Sequence, residues 1–167
     1  MRCSNCREDF PHDSVIDIDG RPVCLNCLYG DAEPVTIRPI GVVISDVKRA
    51  DSYHGFGYTG SDISEIRLSP GMARFMKGLA DETRLIVLWH LHEAKPVKSV
   101  FARGSDGKQV GPFASRTPDR ITPIAVSEVE LLDVKGTTLI VRGLDAINGS
   151  PVLDIKVGMG SLKRDEG

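Results

Sequence analysis

The sequence predicts a mainly β protein: a small closed β-barrel with one short helix, preceded by a small four-cysteine module. Three observations carry that prediction. Short apolar runs recur from residue 35 onward, separated by turn-forming pairs such as Lys135-Gly136 and Asn148-Gly149. Helical spacing is confined to residues 71–79, where Met72, Phe75, Met76 and Leu79 share one face. All four cysteines lie near the start, in two closely spaced pairs. A chain of 167 residues with 41% hydrophobic content suits one ordinary domain with a small appendage.

The cysteines read as Cys3-x-x-Cys6 and Cys24-x-x-Cys27, with seventeen residues between the pairs. This is the spacing of a zinc site, in which each pair forms a knuckle that offers two thiolates to one tetrahedral ion. Four sulfur ligands leave no position for a substrate water, so the predicted zinc is structural. Two disulfides are the alternative and fit poorly with a start that lacks the basic and apolar regions of an export signal. Iron in a rubredoxin-like site is a second alternative. Between the pairs, residues 14–18 and 21–23 flank Asp19-Gly20, a strong hairpin-turn signal, and residues 24–28 begin a helical turn. Arg2, Arg7 and Arg21 face Glu8, Asp9, Asp13, Asp17 and Asp19, which argues against a broad phosphate-binding surface. The module is expected to touch an acceptor or a second protomer and to leave chemistry and cofactor affinity to the rest of the chain. It is assigned residues 1–29, with a Gly- and Pro-containing linker at 30–34, the barrel at 35–158 and a charged tail at 159–167.

Within the barrel, Val35, Ile37, Ile40, Val42, Val43 and Ile44 outline a first strand, with Pro39 and Gly41 marking a bend or edge. Residues 51–62 form a loop whose Tyr53, His54, Phe56 and Tyr58 offer rings for stacking on a base or on one another. Ile63, Ile66 and Leu68 mark the next strand, and residues 84–91 a buried one that ends in Trp89-His90-Leu91-His92. Alternation puts His90 and His92 on one face. Residues 98–102 suggest a further strand before a loop tipped by Asp106-Gly107. Residues 125–134, 137–143 and 151–157 read as the closing strands. Six or seven short strands of this kind fit a barrel closed to remove its edges.

The formal charge of −2 gives no global case for nucleic-acid binding. Residues 94–120, however, hold Lys95, Lys98, Arg103, Lys108, Arg116 and Arg120 against Asp106 and Asp119, a net of +4. The run enters Gly111-Pro-Phe-Ala-Ser-Arg-Thr-Pro-Asp-Arg-Ile-Thr-Pro-Ile-Ala-Val-Ser127. Pro112, Pro118 and Pro123 forbid a regular helix here and push their predecessors toward extended geometry. Arg116 and Arg120 are permanent cations on this stiff backbone, suited to a polar or anionic ligand. No apolar run reaches membrane-spanning length, and a cytoplasmic protein is expected.

This stretch resembles the signature of the TrmO/TsaA-like family, Gly-x-Phe-Ala-Thr-Arg-Ser-Pro-x-Arg-Pro-Asn-Pro-Ile-Gly-Leu-Ser. Residues 144–156 are similar to a second signature, Leu-Asp-x-x-Asp-Gly-Thr-Pro-Val-Leu-Asp-Ile-Lys-Pro-Tyr, up to its closing Pro-Tyr. The resemblance implies a small β-barrel methyltransferase that binds S-adenosylmethionine beside a homodimer interface. Members with the full motif methylate N6-threonylcarbamoyladenosine beside the tRNA anticodon, which makes tRNA the expected partner. The cofactor residues it implies are Phe113, Ala114, Ser115, Arg116, Arg120, Pro123, Ile124, Ser127, Leu144, Asp145 and Asp154. The chain departs from the family at Ile121-Thr122, Ala125, Asn148 and Val157-Gly158. There is no Gly-x-Gly-x-x-Gly after a first strand and no nucleophile elbow, and Ser115 and Ser127 have no evident His and Asp partners in sequence. Asp154 and Lys156, two apart on one strand, suggest a surface ion pair as the plainer role.

Overall fold

The computed structural model describes residues 1–46 and 62–159; the aromatic loop at 51–61 and the charged tail at 160–167 lie outside the described residues. The chain divides into two compact units, one of Met1–Thr36 with Ala94–Pro123 and the other of Ile37–Glu93 with Ile124–Gly167.

The second unit is the barrel. Its strands are β3 (Gly41–Ile44), β4 (Ile63–Leu68), β5 (Arg84–His90), β8 (Ile124–Lys135), β9 (Thr138–Arg142) and β10 (Pro151–Val157). They close in the order β10-β3-β4-β9-β8-β5, with antiparallel pairing at every step, so none of the six keeps a free edge. Alternation supplies the core: Val43, Ile66, Leu85, Val87, Val129, Leu139, Val141 and Val152 are almost wholly buried. Closing so small a sheet requires local bending. The register shifts between Leu131 and Asp133 in β8 and between Val152 and Asp154 in β10 supply it. After the first shift Val134, rather than Asp133, packs on the core. The turns behave as their residues dictate, with Gly136 at φ 62° and Gly149 at φ 85°.

Several expected elements differ. The strand read from Val35 begins only at Gly41, because Val35 and Ile37 are exposed and build no sheet face. In β4 the inward positions are Ser64, Ile66 and Leu68, which leaves Ile63 outside. Residues 71–79 do not form an α-helix. They make two 3-10 turns, Pro70–Phe75 and Leu79–Asp81, divided at Gly78 with φ 82°. Met72, Met76 and Leu79 still pack on the core, whereas Phe75 is 74% exposed.

The first unit begins with the hairpin of β1 (Val15–Ile18) and β2 (Arg21–Cys24), followed by helix α1 (Leu25–Tyr29). Asp19 and Gly20 turn it with φ of 56° and 75°, as a two-residue hairpin loop of this hand requires. Residues 94–123 contribute a two-rung ladder, β6 (Phe101–Ala102) with β7 (Gln109–Val110), and one 3-10 turn, so the strand read at 98–102 shrinks to its last two residues. They join the hairpin through Val97, which bridges Ile18 in parallel, and through Asp19, whose carboxylate accepts from the Ser99 amide at 2.9 Å and the Ser99 hydroxyl at 2.5 Å. Those two donors, the hydroxyl first, hold the Asp19 carboxyl below its usual range. The tie is therefore at full strength above the ordinary carboxylate pKa and is lost as pH falls through the depressed one.

Gly41 shows how tightly the barrel closes. A Cβ there would stand 2.5 Å from the Arg67 carbonyl oxygen and 2.9 Å from the Leu68 Cα, both backbone. We predict that Gly41→Ala costs about 1–3 kcal/mol, the usual penalty of forced overpacking. Thermal unfolding should show a lowered midpoint, while Gly71→Ala, whose Cβ would meet nothing within 4 Å, should leave it nearly unchanged.

Candidate functional site

The four cysteines converge as their spacing predicts. Cys3 and Cys24 are buried, Cys6 and Cys27 exposed, and each is a free thiol rather than half of a disulfide. The four sulfurs lie within 4.8 Å of one another, with Cys6 and Cys24 at 3.9 Å. Tetrahedral zinc with bonds of ~2.3 Å needs sulfurs about 3.8 Å apart, so the set fits. Backbone amides point at the sulfurs: those of Asn5 and Cys24 at Cys3, at 3.4 and 3.3 Å, and that of Cys27 at Cys24, at 3.4 Å. Arg7, at φ 64°, closes the first knuckle, and Cys24 caps α1 to make the second. The Cys24 amide holds the Cys3 thiol down at about 6, against the effect of burial. Cys27 is pushed up to about 12, first by its hydrogen bond with Cys24 and then by burial. Four convergent sulfurs are a set that a divalent cation would complete, releasing protons as it binds. His90 and His92 are no second centre: among the described residues the cysteines are the only cluster of metal-ligating type.

The central motif is divided between the two units at Pro123 and Ile124. Its first half, in the unit of the cysteines, folds as a 3-10 turn at Pro112–Ala114 followed by side-chain-stapled turns. The Ser115 hydroxyl donates to the Pro112 carbonyl at 3.1 Å and accepts from the Thr117 amide at 3.4 Å. The Thr117 hydroxyl then accepts from the Asp119 amide at 3.3 Å. The two arginines have different fates. Arg120 turns inward, its Nη1 donating to the carbonyls of Pro112 and Ser115 at 3.2 and 3.1 Å, with Thr117 at 3.5 Å. Arg116 is exposed and makes no hydrogen bond or ion pair among the described residues. Phe113 is 85% exposed, Ala114 is exposed, and Pro123 is half-buried. Sequence reasoning counted Arg103 only as one charge among six. Here its guanidinium grips Asp106 with two hydrogen bonds and donates from Nη1 to the Ala114 carbonyl at 3.0 Å. The signal for it was Asp106-Gly107, a turn that returns the chain under its own arginine.

The second half of the motif opens β8 in the barrel. Ile124 is half-buried at the strand's start, and Ser127 is buried opposite Val87. The Ser127 hydroxyl accepts from the Trp89 indole at 3.0 Å and donates to the Asp145 carboxylate. The Asp partner absent from its sequence neighbourhood is thus Asp145, while Trp89 stands where a catalytic base would. Leu144, 2% exposed, anchors the chain beside it, and Asp145 is itself exposed with one oxygen taken by Ser127. Asn148, which departs from the family's Asp, accepts from the Ser45 amide at 3.2 Å. Gly158, another departure, has no room for a side chain: a Cβ would lie 2.7 Å from that of Arg84. Asp154 pairs with Lys156 at 2.5 Å, both well exposed, a contact of small energetic value.

For the cysteine centre we predict one zinc per chain by metal analysis, with affinity falling as pH is lowered and the thiols reprotonate. Chelation should expose the amides of Cys24 and Cys27 to hydrogen exchange while those of β5 and β8 keep their protection.

Comparison with known proteins places the chain. A family model described as tRNA-methyltransferase O N-terminal domain matches residues 57–160. A probable S-adenosyl-L-methionine-binding protein of Methanothermobacter thermautotrophicus is 42% identical over 123 residues, 73% of this chain and 88% of that one. The crystal structure of TrmO from Pseudomonas aeruginosa shares the fold with a TM-score of 0.61 at 23% identity, over 81% of this chain and 62% of that one. The human tRNA (adenine(37)-N6)-methyltransferase is 39% identical over 51 residues, 30% of this chain and 12% of that protein. With both signature motifs present and these relatives aligned, the chain belongs to the TrmO/TsaA-like family of S-adenosylmethionine-binding β-barrel proteins.

Proposed function

We propose that the protein binds S-adenosylmethionine and transfers its methyl group to a modified adenosine of tRNA, N6-threonylcarbamoyladenosine beside the anticodon. The observation that carries this reading is the hydrogen bond from Ser127 to Asp145, which joins the end of one signature motif to the start of the other. When bound, the cofactor supplies a methyl group already activated on a sulfonium, so the chain's task is alignment and exclusion of water. Positioning of that kind lowers barriers by roughly 7–11 kcal/mol in favourable cases. On the barrel, Asp145 is held by Ser127 and keeps its second oxygen for a ribose hydroxyl or an ammonium group. Ser127 is in turn fixed by Trp89, so the carboxylate does not wander. On the other unit, Arg116 offers an unspent guanidinium to a carboxylate or an RNA phosphate, and Arg120 keeps the loop in shape. Support for tRNA comes from the net positive run that carries Arg116 and from the human relative's name.

A second reading keeps the cofactor and changes the acceptor to a small molecule or a protein, or omits transfer altogether. It is favoured by Asn148, whose side-chain oxygen is spent on Ser45, and by the departures at Thr122 and Ala125. Mass spectrometry of tRNA nucleosides from cells with and without the gene separates the two: an unchanged methylated nucleoside overturns the tRNA reading. A twofold dimer is proposed as well, and a monomer at micromolar concentration with cofactor present would overturn it.

Calorimetry should show S-adenosylmethionine binding that falls tenfold to a hundredfold in Asp145→Ala and in Arg116→Ala. This is the loss of one charged hydrogen bond, about 1.5–3 kcal/mol. Unchanged affinity in both folded variants would remove the site from these residues.

A further inference from the structure

Residues 94–123 hold the motif's exposed arginine, yet they have almost no means of holding themselves. Val97 is the one buried residue among them, and their regular structure is the two-rung ladder of β6 and β7 with the 3-10 turn at Pro112–Ala114. Connections longer than about 12–15 residues without structure of their own are uncommon in compact domains unless something fixes them. Here the fixing point is the cysteine module. Val97 is the residue that bridges Ile18, its carbonyl accepts from the Asp19 amide at 3.0 Å, and the Asp19 carboxylate grips Ser99 twice.

From Ser99 the contacts run on without a gap. Gly111 passes so close to the Ser99 carbonyl that a Cβ would lie 3.2 Å from it. Phe101 pairs with Val110, and the Arg103 amide donates to Lys108 at 2.8 Å. The Arg103 guanidinium, locked to Asp106, holds the Ala114 carbonyl, and Arg120 holds those on either side, at Pro112 and Ser115. The hairpin tip that starts this path leads directly into the strand that ends in Cys24.

We infer that the metal centre is the anchor of the Arg116 loop and that Asp19 is the positioning residue that connects them. This gives the cysteine module a task that its independence in sequence does not suggest. Metal occupancy sets the geometry of residues 112–117, and through them the affinity for an anionic group. The last step rests on the reading of Arg116 given above; the anchoring itself does not.

The test uses the full zinc-loaded chain and hydrogen–deuterium exchange of peptides covering 97–103 and 112–117. Asp19→Ala should keep one zinc per chain and the barrel's protection while both peptides exchange at least tenfold faster. Asp19→Asn, which retains an acceptor for the Ser99 amide, should fall between it and the wild type. Chelation should reproduce the Asp19→Ala pattern. Unchanged exchange at 112–117 in Asp19→Ala and after chelation would overturn the anchor. If Asp19→Ala loses its zinc, Ser99→Ala, which removes the hydroxyl bond and keeps the amide bond, decides in its place: faster exchange at 112–117 supports the anchor, unchanged exchange overturns it. Calorimetry with S-adenosylmethionine adds the functional arm, with affinity expected to drop about tenfold in Asp19→Ala. A wild-type chain that binds no cofactor overturns the functional reading, and the exchange result then stands or falls alone.

Discussion

Sulfur takes the place of a hydrophobic core in the unit formed by residues 1–36 and 94–123. Its buried residues are Cys3, Val23, Cys24 and Val97, two of which belong to the cysteine cluster. Apolar burial at roughly 25 cal/mol per Å² contributes little there against the entropy of ordering the backbone. A structural zinc contributes on the order of 10–16 kcal/mol in small finger peptides, enough to hold such a unit together. What the ion holds first is the hairpin and α1. What the hairpin holds, through Asp19, is the polar loop that carries the first half of the signature motif.

The barrel rests on the opposite principle. Its core is a continuous set of Val, Ile and Leu side chains from all six strands, and its closure leaves no strand edge among the six for misplaced pairing. Onto that rigid frame are set the few polar groups that matter, Ser127, Trp89 and Asp145, joined by two hydrogen bonds. A buried hydroxyl left unpaired is costly, so Ser127 is satisfied on both sides and its direction is fixed. Asp145 follows Leu144, which is locked in the core, and this sets a flexible carboxylate on a firm base.

The departures from the family pattern have local reasons. Asn148 ties the end of β3 to the turn before β10, and Gly158 sits where backbone contact with Arg84 excludes any Cβ. The structure offers no account of Thr122. Of the two motif arginines, identical in sequence terms, one braces carbonyls and the other faces outward. The guanidinium is well suited to both tasks, having five donors and no acceptor.

Much of this was legible in the residues themselves. Cysteine spacing determined the four-sulfur cluster, and period-two alternation with Gly and Asn turns determined the barrel strands, because both depend on local geometry alone. Helical spacing misled at 71–79, where Gly78 at positive φ and packing on the core favour short 3-10 turns over a helix. The exposed Val35 and Ile37 misled too, since propensity says nothing of whether a sheet edge is present to receive them. Three relations came only with tertiary structure: the Asp19–Ser99 clamp, the Ser127–Asp145 bond, and the separate fates of Arg116 and Arg120. The clamp spans 80 positions and the Ser127–Asp145 bond 18, while Arg120 reaches up to 8 positions back around a proline-stiffened loop. Which donor meets which acceptor across such a span is decided by how the chain closes on itself, and no local periodicity records it.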